Sequence, residues 1–326
     1  MRKALIALLV LVLLAVLAGG GAAFWAYGQW RAPGPLAEAT PIVVPRGGTE
    51  AIATALAERG VLRDPRLLTG AAWLTRGEGP LRAGEYLFPA RASLAEVLEV
   101  LRRARPVQRR LTIPEGLTAK QIAVMVEAAP GLTGDTPALE EGGLLPETYA
   151  YQYGDSRTAL VRRGTQAMDA ALERLWKDRA PGLPVTTPRE ALVLASIVER
   201  ETGQKEERPR VAAVFLNRLK RGMPLQSDPT VAYAAADGAV LDRPLTRADL
   251  DRDHPFNTYR NRGLPPGPIA SPGEASLAAV LKPADTDELY FVADGTGGHA
   301  FGRTLEEHNR NVARWRQIER QRTTAP

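Results

Sequence analysis

Hydrophobic and polar positions along the chain fall into three regimes. From Ala4 to Tyr27 no charged residue interrupts an apolar run; as a helix it spans about 36 Å, enough to cross a ~30 Å hydrocarbon core. From Ile42 the pattern is short and mixed. Ile42–Pro45 and Gly84–Phe88 read as strands, and Thr49–Glu58, Pro65–Thr75 and Ser93–Arg103 repeat with helical period. Strand, helix, helix, strand within about sixty residues predicts a compact module. From Glu141 helices dominate: Arg157–Arg179, one beginning at Pro188, and Arg208–Arg221 stopped by Gly222. Asp228-Pro229, Ser271-Pro272 with Glu274, and Thr304 with Glu307 carry helix-start signals. Leu289–Ala293 predicts a strand that turns through Gly295–Gly298 into a second at His299–Phe301. The fold class is α+β, with a transmembrane helix at 4–27 after a cytoplasmic tip at 1–3. A linker at 28–41, a small module at 42–108 and a larger mixed domain at 109–326 follow. IVVPRGGTEAIA from Ile42 is echoed by LTIPEGLTAKQIA from Leu111 with a one-residue slip. Any strand-to-helix turn prefers Pro, Gly and Thr, so the echo is local.

The helix starting at Pro188 is the most sharply delimited. Thr187 can cap it, Pro188 suits its first position, and Glu190 completes a capping box. Taking Leu192 as origin and about 100° per residue, Ile197, Leu194 and Val198 fall near 140°, 200° and 240°, and Glu201 falls near 180° between them. Glu199 points elsewhere, beside Leu192 and Ala195. Desolvation disfavours a charged carboxylate, so a glutamate in an apolar stripe keeps its proton toward neutral pH and can serve as a general acid. The same position also suits a helix end at a solvated edge, with Glu201 paired to Arg200 or Arg208.

Charge and composition add a compartment. The 326 residues hold 42 basic and 37 acidic side chains, a formal charge of +5, and no cysteine. The absence of cysteine excludes disulfides, thiol catalysis and zinc–thiolate sites. The basic residues are scattered, and no nucleic-acid module accompanies them; nucleic acid is not an expected partner. Arg102, Arg103, Arg105, Arg109 and Arg110 read as a solvated helix end and connector. Arg2 and Lys3 outweigh Arg31 across the apolar run, which keeps the N-terminus cytoplasmic in a single-pass anchor of the inner (cytoplasmic) membrane. Phe24, Trp25, Tyr27 and Trp30 read as an interfacial belt.

No metal constellation stands out: His254, His299 and His308 are far apart in sequence, and none forms a helical pair with another. Nucleophile-elbow, phosphate-loop and dinucleotide fingerprints are absent, and no lysine sits in an evident Schiff-base context, so no cofactor is expected. What remains is a carboxyl acid among polar loops. Four blocks then carry a resemblance: ASIVERET (Ala195–Thr202), VFLNRLKRGMPLQSDPTVAYA (Val214–Ala234), NTYRNRGLPPGPIASPG (Asn257–Gly273) and LYFVADGTGGHAFGRTLEEHN (Leu289–Asn309). In this order they resemble the YceG-like family of endolytic murein transglycosylases. The resemblance implies a membrane anchor, a LysM-like module at 42–108 and a catalytic domain that cleaves nascent peptidoglycan strands. It places the catalytic glutamate, second in an Ile-x-Glu-x-Glu motif, on Glu201.

The implied reaction cuts the β-1,4 bond between N-acetylmuramic acid and N-acetylglucosamine and leaves a 1,6-anhydromuramoyl end. Glycosidases that use water need two carboxylates, whereas here the sugar's own 6-hydroxyl attacks and one glutamate acts first as acid, then as base. Gln226, Ser227, Asp228 and Thr230 form a polar turn suited to sugar hydroxyls, with Asp228 equally suited to capping a helix. Asn257 and Tyr259 suit either acetamido binding and sugar stacking or loop anchoring. Glu199 is a weaker candidate, whose other reading is an ion pair to Arg218. Leu264-Pro265-Pro266-Gly267-Pro268 is stiff enough to wall a groove. Glu141, Pro146 and Tyr149 match the family's block, with Glu147 where Asp is usual. Expected partners are glycan strands, the membrane, and peptidoglycan synthases of the elongation machinery as candidate companions. The alternative class is a membrane-anchored peptidoglycan-binding scaffold whose glutamate is structural.

Overall fold

The computed structural model describes residues 2–324. Met1 of the expected cytoplasmic tip, and Ala325 and Pro326 at the end of the expected larger domain, lie outside the described residues. The chain divides into two compact units: residues up to Arg109 with Tyr151–Gly154, and Arg110–Ala150 with the residues from Asp155 onward.

The first unit begins with helix α1 (Arg2–Arg31). Its stretch Leu5–Arg31 has the length and composition to cross a membrane, and its apolar side chains from Leu5 to Leu17 are exposed. Phe24, Trp25 and Tyr27 are exposed as a belt would require, but Trp30 is not part of it. Trp30 is half-buried against the core of the following module, because the helix continues four residues past Tyr27 and reaches that surface. The expected linker at 28–41 is likewise docked: Gly34 donates to the Arg91 carbonyl, Arg91 donates to that of Leu36, and Leu36 packs on the same core.

That module is built on strands β1 (Thr40–Val44) and β2 (Gly84–Phe88), antiparallel with Ile42 opposite Tyr86. Between them run α2 (Thr49–Glu58) and α3 (Pro65–Leu74), and α4 (Leu94–Arg103) follows. Ile42, Leu56, Leu68, Phe88, Val97 and Leu101 fill its core. Ser93 and Glu96 form the capping box of α4. The expected solvated end of α4 is corrected at Arg102, which is buried. Its guanidinium pairs with Glu78 at 3.0 Å and donates to the carbonyls of Thr75 and Gly79, a satisfied inward position rather than a free charge.

The second unit holds α5 (Ala119–Ala128) and, but for Arg109 and Tyr151, the paired strands β3 (Arg109–Thr112) and β4 (Thr148–Tyr151) on either side of it in the chain. The echo of the module's turn breaks at its cap. Thr118 caps α5 with Gln121 in a full box, whereas Gly48 occupies the corresponding position before α2 and Thr49 lies inside that helix. The slip of one residue therefore changes what the threonine does.

Helices α6 (Arg157–Lys177), α7 (Pro188–Glu201), α8 (Arg208–Lys220), α9 (Asp228–Ala236), α10 (Arg247–Asp251) and α11 (Glu274–Leu281) follow. The hairpin of β5 (Tyr290–Ala293) and β6 (His299–Gly302) then leads into α12 (Leu305–Thr324). α7 lies at the centre. Every residue from Ala191 to Val198 is buried, against Val211 and Phe215 of α8 and Leu277 and Leu281 of α11. Each of Leu194, Ile197 and Val198 contributes about 1.5–3 kcal/mol by leaving water. Ser196, the polar residue within that stretch, donates to the Val193 carbonyl and accepts from Ile269 N at 3.0 Å, which fastens the proline-rich run to the middle of α7.

Thr187 and Glu190 form the capping box that starts α7, with Pro188 in its first turn. The analogous expectation for α11 is corrected. Gly273, not Ser271, is the N-cap, and the Gly273 amide is taken by the carboxylate of Glu199 at 2.9 Å. Removing the α7 cap with Thr187→Ala is expected to lower unfolding stability by about 1 kcal/mol, measured by urea denaturation at constant m-value. An unchanged midpoint would mean that tertiary burial alone sets where α7 begins.

Candidate active site

Glu201 is the last residue of α7, and the chain turns extended at Thr202. By residue surface it is half-buried. Burial pushes its carboxyl up to about 7, and the negative charge of Asp228 acts in the same direction. A hydrogen bond from Ser227 and the positive charge of Arg218 oppose the rise. Its place at a helix C-terminus also disfavours a carboxylate. Desolvation prevails, so the group changes protonation near neutral pH.

The hydrogen bond to Glu201 comes from an unusual source. Ser227 occupies the N-cap of α9, but its hydroxyl makes no capping bond; it donates instead to Glu201 Oε1 at 2.5 Å. The expectation that Asp228 caps α9 is thereby corrected: Asp228 is the first residue of the helix and exposed, and its Oδ1 accepts from the Tyr259 hydroxyl at 2.6 Å. That bond and burial raise the tyrosine's pKa, burial being the larger cause. Gln226, immediately before, holds φ near +50°, a left-handed conformation unusual for a residue with a side chain, and is exposed.

The turn is held by Thr258. Gln226 N donates to its carbonyl at 3.1 Å, Ser227 N to its hydroxyl at 3.0 Å, and Thr230 Oγ1 shares a bond with the same hydroxyl at 2.9 Å. Thr230 and Asn257 are therefore scaffold. Thr230 is fully buried, and its hydroxyl also reaches the Ser227 carbonyl. Of the two readings of Asn257, the observed bonds are those of a loop anchor: it is 1% exposed, its amide donates to the carbonyls of Leu250 and Arg252, and its Oδ1 accepts from Tyr259 N. Its donors and acceptor are spent on shaping the loop that presents Tyr259.

Glu199 faces away from this cluster, and its side chain is 5% exposed. It pairs at 3.0 Å with Arg208 rather than with Arg218, because Arg208 at the start of α8 lies beside it, and Arg208 also holds Glu115. Neither Arg200 nor Arg208 pairs with Glu201; Arg200 donates to the Gly116 carbonyl. Glu141 accepts from Ala119 N and from the Tyr233 hydroxyl, and Tyr149 donates to the Leu145 carbonyl. His299 is bonded to Glu207, and His308 stacks on Tyr290.

The structure thus brings Glu201, Ser227, Asp228 and Tyr259 together with Gln226 at the rim, and sets Thr230, Asn257 and Glu199 behind them as supports. Arg218, offered in the sequence as a partner of Glu199, instead acts on Glu201 through its positive charge. On the α8 wheel it falls near 340° from Val211, between Val214 near 300° and Phe215 near 40°. The reasoning that singled out Glu201 applies to it unchanged. Among the described residues no group of three or more His, Asp or Glu side chains is placed to hold a metal ion.

The comparisons with known proteins agree with this architecture. The family model described as YceG-like family matches residues 42–314. An endolytic murein transglycosylase of Bacillus subtilis (strain 168) is 41% identical over 175 residues, covering 52% of this chain and 46% of the relative. One of Streptococcus pneumoniae serotype 2 is 32% identical over 283 residues, 72% of this chain and 50% of the relative. The chain spans about half the length of the curated relatives it matches. A crystal structure of a YceG-like protein from Listeria monocytogenes aligns with a TM-score of 0.52 and 29% identity, covering 84% of this chain and 99% of that one. With a family match running from the strand–helix–helix–strand module through the whole Glu201 cluster, the chain belongs to the YceG-like family.

Proposed function

We propose that this chain is a membrane-anchored lytic transglycosylase that cleaves the β-1,4 bond between N-acetylmuramic acid and N-acetylglucosamine in peptidoglycan strands. The observation that carries the reading is the glutamate at the end of a buried helix, poised near pH 7 and hydrogen-bonded by one serine. The names of the relatives support the substrate and reaction class.

In this mechanism protonated Glu201 donates to the glycosidic oxygen as the bond from C1 to that oxygen breaks, and positive charge develops at C1. The 6-hydroxyl of the same muramoyl residue attacks C1, and the Glu201 carboxylate takes its proton. Glu201 ends as it began, no water is consumed, and the product carries a 1,6-anhydro ring. Ser227 holds Oε1 so that the acid keeps one orientation through both transfers. The hydroxyl of Tyr259 and the exposed side chains of Gln226 and Asp228 line the rim where a sugar would lie.

The same reading takes the strand–helix–helix–strand module as LysM-like. It takes α1 as a single-pass anchor in the cytoplasmic membrane, its N-terminus inside by the charges of Arg2 and Lys3 and the residues that follow α1 outside. Such tethering keeps the acid within reach of new strands at the membrane surface, where peptidoglycan synthases of the elongation machinery would be neighbours.

Glu201→Gln in the full chain, assayed on purified murein with mass analysis of products, is expected to lower the yield of anhydromuramoyl ends about 10³-fold while the protein stays folded. Release of reducing ends by the unaltered protein would instead indicate hydrolysis, full activity of the variant would remove Glu201 as the catalytic group, and a variant that keeps the protein's cellular role while the unaltered protein makes no anhydro ends would leave the scaffold reading. Because the acid must be protonated in the free enzyme, kcat/KM is expected to fall above about pH 7. A profile flat to pH 9 would remove Glu201 as the acid.

Stability carries the opposite mark. The folded carboxyl sits at about 7 against an ordinary 4.5, so the folded state binds the proton more tightly. Stability from this group is therefore full below about 4.5, is lost between there and 7, and stays lost above, by about 3 kcal/mol in total. Glu201→Gln is expected to melt above the unaltered protein at pH 8, with most of that excess gone at pH 5. An excess independent of pH would contradict the burial of the charge.

A further inference from the structure

Arg218 is 7% exposed, yet among the described residues no carboxylate lies within salt-bridge distance of it. Removing one partner from a buried ion pair costs several kcal/mol because it leaves an uncompensated charge, and Arg218 stands in that condition permanently. Its hydrogen bonds explain where it is held: Nε donates to the Leu289 carbonyl at 2.7 Å and Nη1 to that of Leu225 at 2.6 Å. Leu225 leads into the Gln226–Asp228 turn, and Leu289 leads into β5. The guanidinium therefore fastens the turn that carries Ser227 to the hairpin, and its Cζ lies 5.4 Å from the centroid of the Tyr290 ring. Two carbonyls would be served equally by a neutral side chain. They do not account for a full positive charge.

The groups around it do. Glu201 from α7, Tyr259 from the loop after α10 and Tyr290 from β5 are all within electrostatic reach of Arg218, and His308 from α12 feels its charge. Burial and those three acidic groups pull the guanidinium in opposite directions, and burial is the larger cause. Ser227 and Asp228 at the start of α9 also act on Glu201, the first by a hydrogen bond and the second by its negative charge. Of all these, only Glu201 passes between neutral and negative during the reaction.

We propose that Arg218 is a positioning residue whose buried charge serves the transient carboxylate of Glu201, holding it between the two proton transfers. The proposal rests on Glu201 being the acid and base. After the first transfer Glu201 is an anion in a desolvated place, with Asp228 beside it. A fixed cation that makes no direct salt bridge lowers the energy of that anion without clamping it, so the carboxylate stays free to take the hydroxyl proton. A closer cation would hold Glu201 ionised at rest and remove the acid.

The test compares Arg218→Lys and Arg218→Gln in the full chain on purified murein, with melting temperature recorded for each. Both lose the two-point tie, and only the second loses the charge. In Arg218→Gln the alkaline limb of kcat/KM is expected to move up by about one unit, since Glu201 holds its proton longer, with kcat about tenfold lower than in Arg218→Lys. In Arg218→Lys the limb is expected to stay within about 0.3 units of the unaltered protein's even though activity falls. Limbs that coincide in all three proteins would overturn the proposal and leave Arg218 a structural tie. Should Arg218→Gln not fold, Arg218→Met, similar in length and without the charge, takes its place in the same comparison: a limb raised by about one unit supports the charge role, and a limb coincident with those of Arg218→Lys and the unaltered protein overturns it. Failure of the underlying reading looks different, because Glu201→Gln would then remain active and the unaltered protein would show no limb near 7.

Discussion

A carboxyl group kept out of water at the end of α7 is the constraint on which the rest of the site is built. Burying it requires a helix buried nearly all round, and Ala191 to Val198 meet that condition without a charged residue. It also requires that the helix stop at Glu201, since further turns would enclose the carboxyl and a shorter helix would leave it in solvent. Thr187 fixes the start, and the extended backbone at Thr202 fixes the end. The thirteen residues that follow Pro188 in α7 thus act as a ruler as well as a core.

Two sets of ties hold the end of that ruler. On one side Glu199 joins α7 to α8 through Arg208 and to the start of α11 through Gly273. On the other side Ser227 reaches Glu201 from a turn that Thr258 and Thr230 secure from beneath. The two glutamates of the motif have divided the work by facing opposite ways: one is neutralised by a buried arginine and carries structure, the other is left without a close cation and keeps its proton. Had Arg208 lain two residues' rotation further round, it would have ionised the acid and undone the arrangement.

How much of this could be read in the sequence depends on how local the cause is. The start of α7 and the edges of β2 were legible because capping boxes and strand alternation act within a few residues. Ser271 failed as a cap because the amide it would have organised is bonded by Glu199, 74 residues away, and no neighbouring residue reports that. Trp30 has the composition of a membrane belt and the position of a core residue, and only packing separates the two. Asn257 likewise offers the same amide to a sugar or to its own loop, and the loop has it. Arg218 differs from these: its place in the apolar stripe of α8 was as readable as that of Glu201. Charge alone pairs it with Glu199, whereas burial sets it beside the apolar core.

The strained backbone at Gln226 gives the turn its last element of logic. A residue with a side chain in the left-handed region costs of order 1 kcal/mol or more and persists only where surrounding bonds over-determine it. Here they do, through Gln226 N and Ser227 N on Thr258. An unstrained turn would let Ser227 cap α9 in the ordinary way, its hydroxyl accepting from an amide of the first helical turn. In the observed turn that hydroxyl is released from the helix and given to Glu201, so the strain and the missing cap are two parts of one cost. Arg218 bonds the carbonyl of the residue just before Gln226 and so holds the strained turn from its other end. Arg218 and the serine that bonds Glu201 are thereby tied to the same short stretch of backbone.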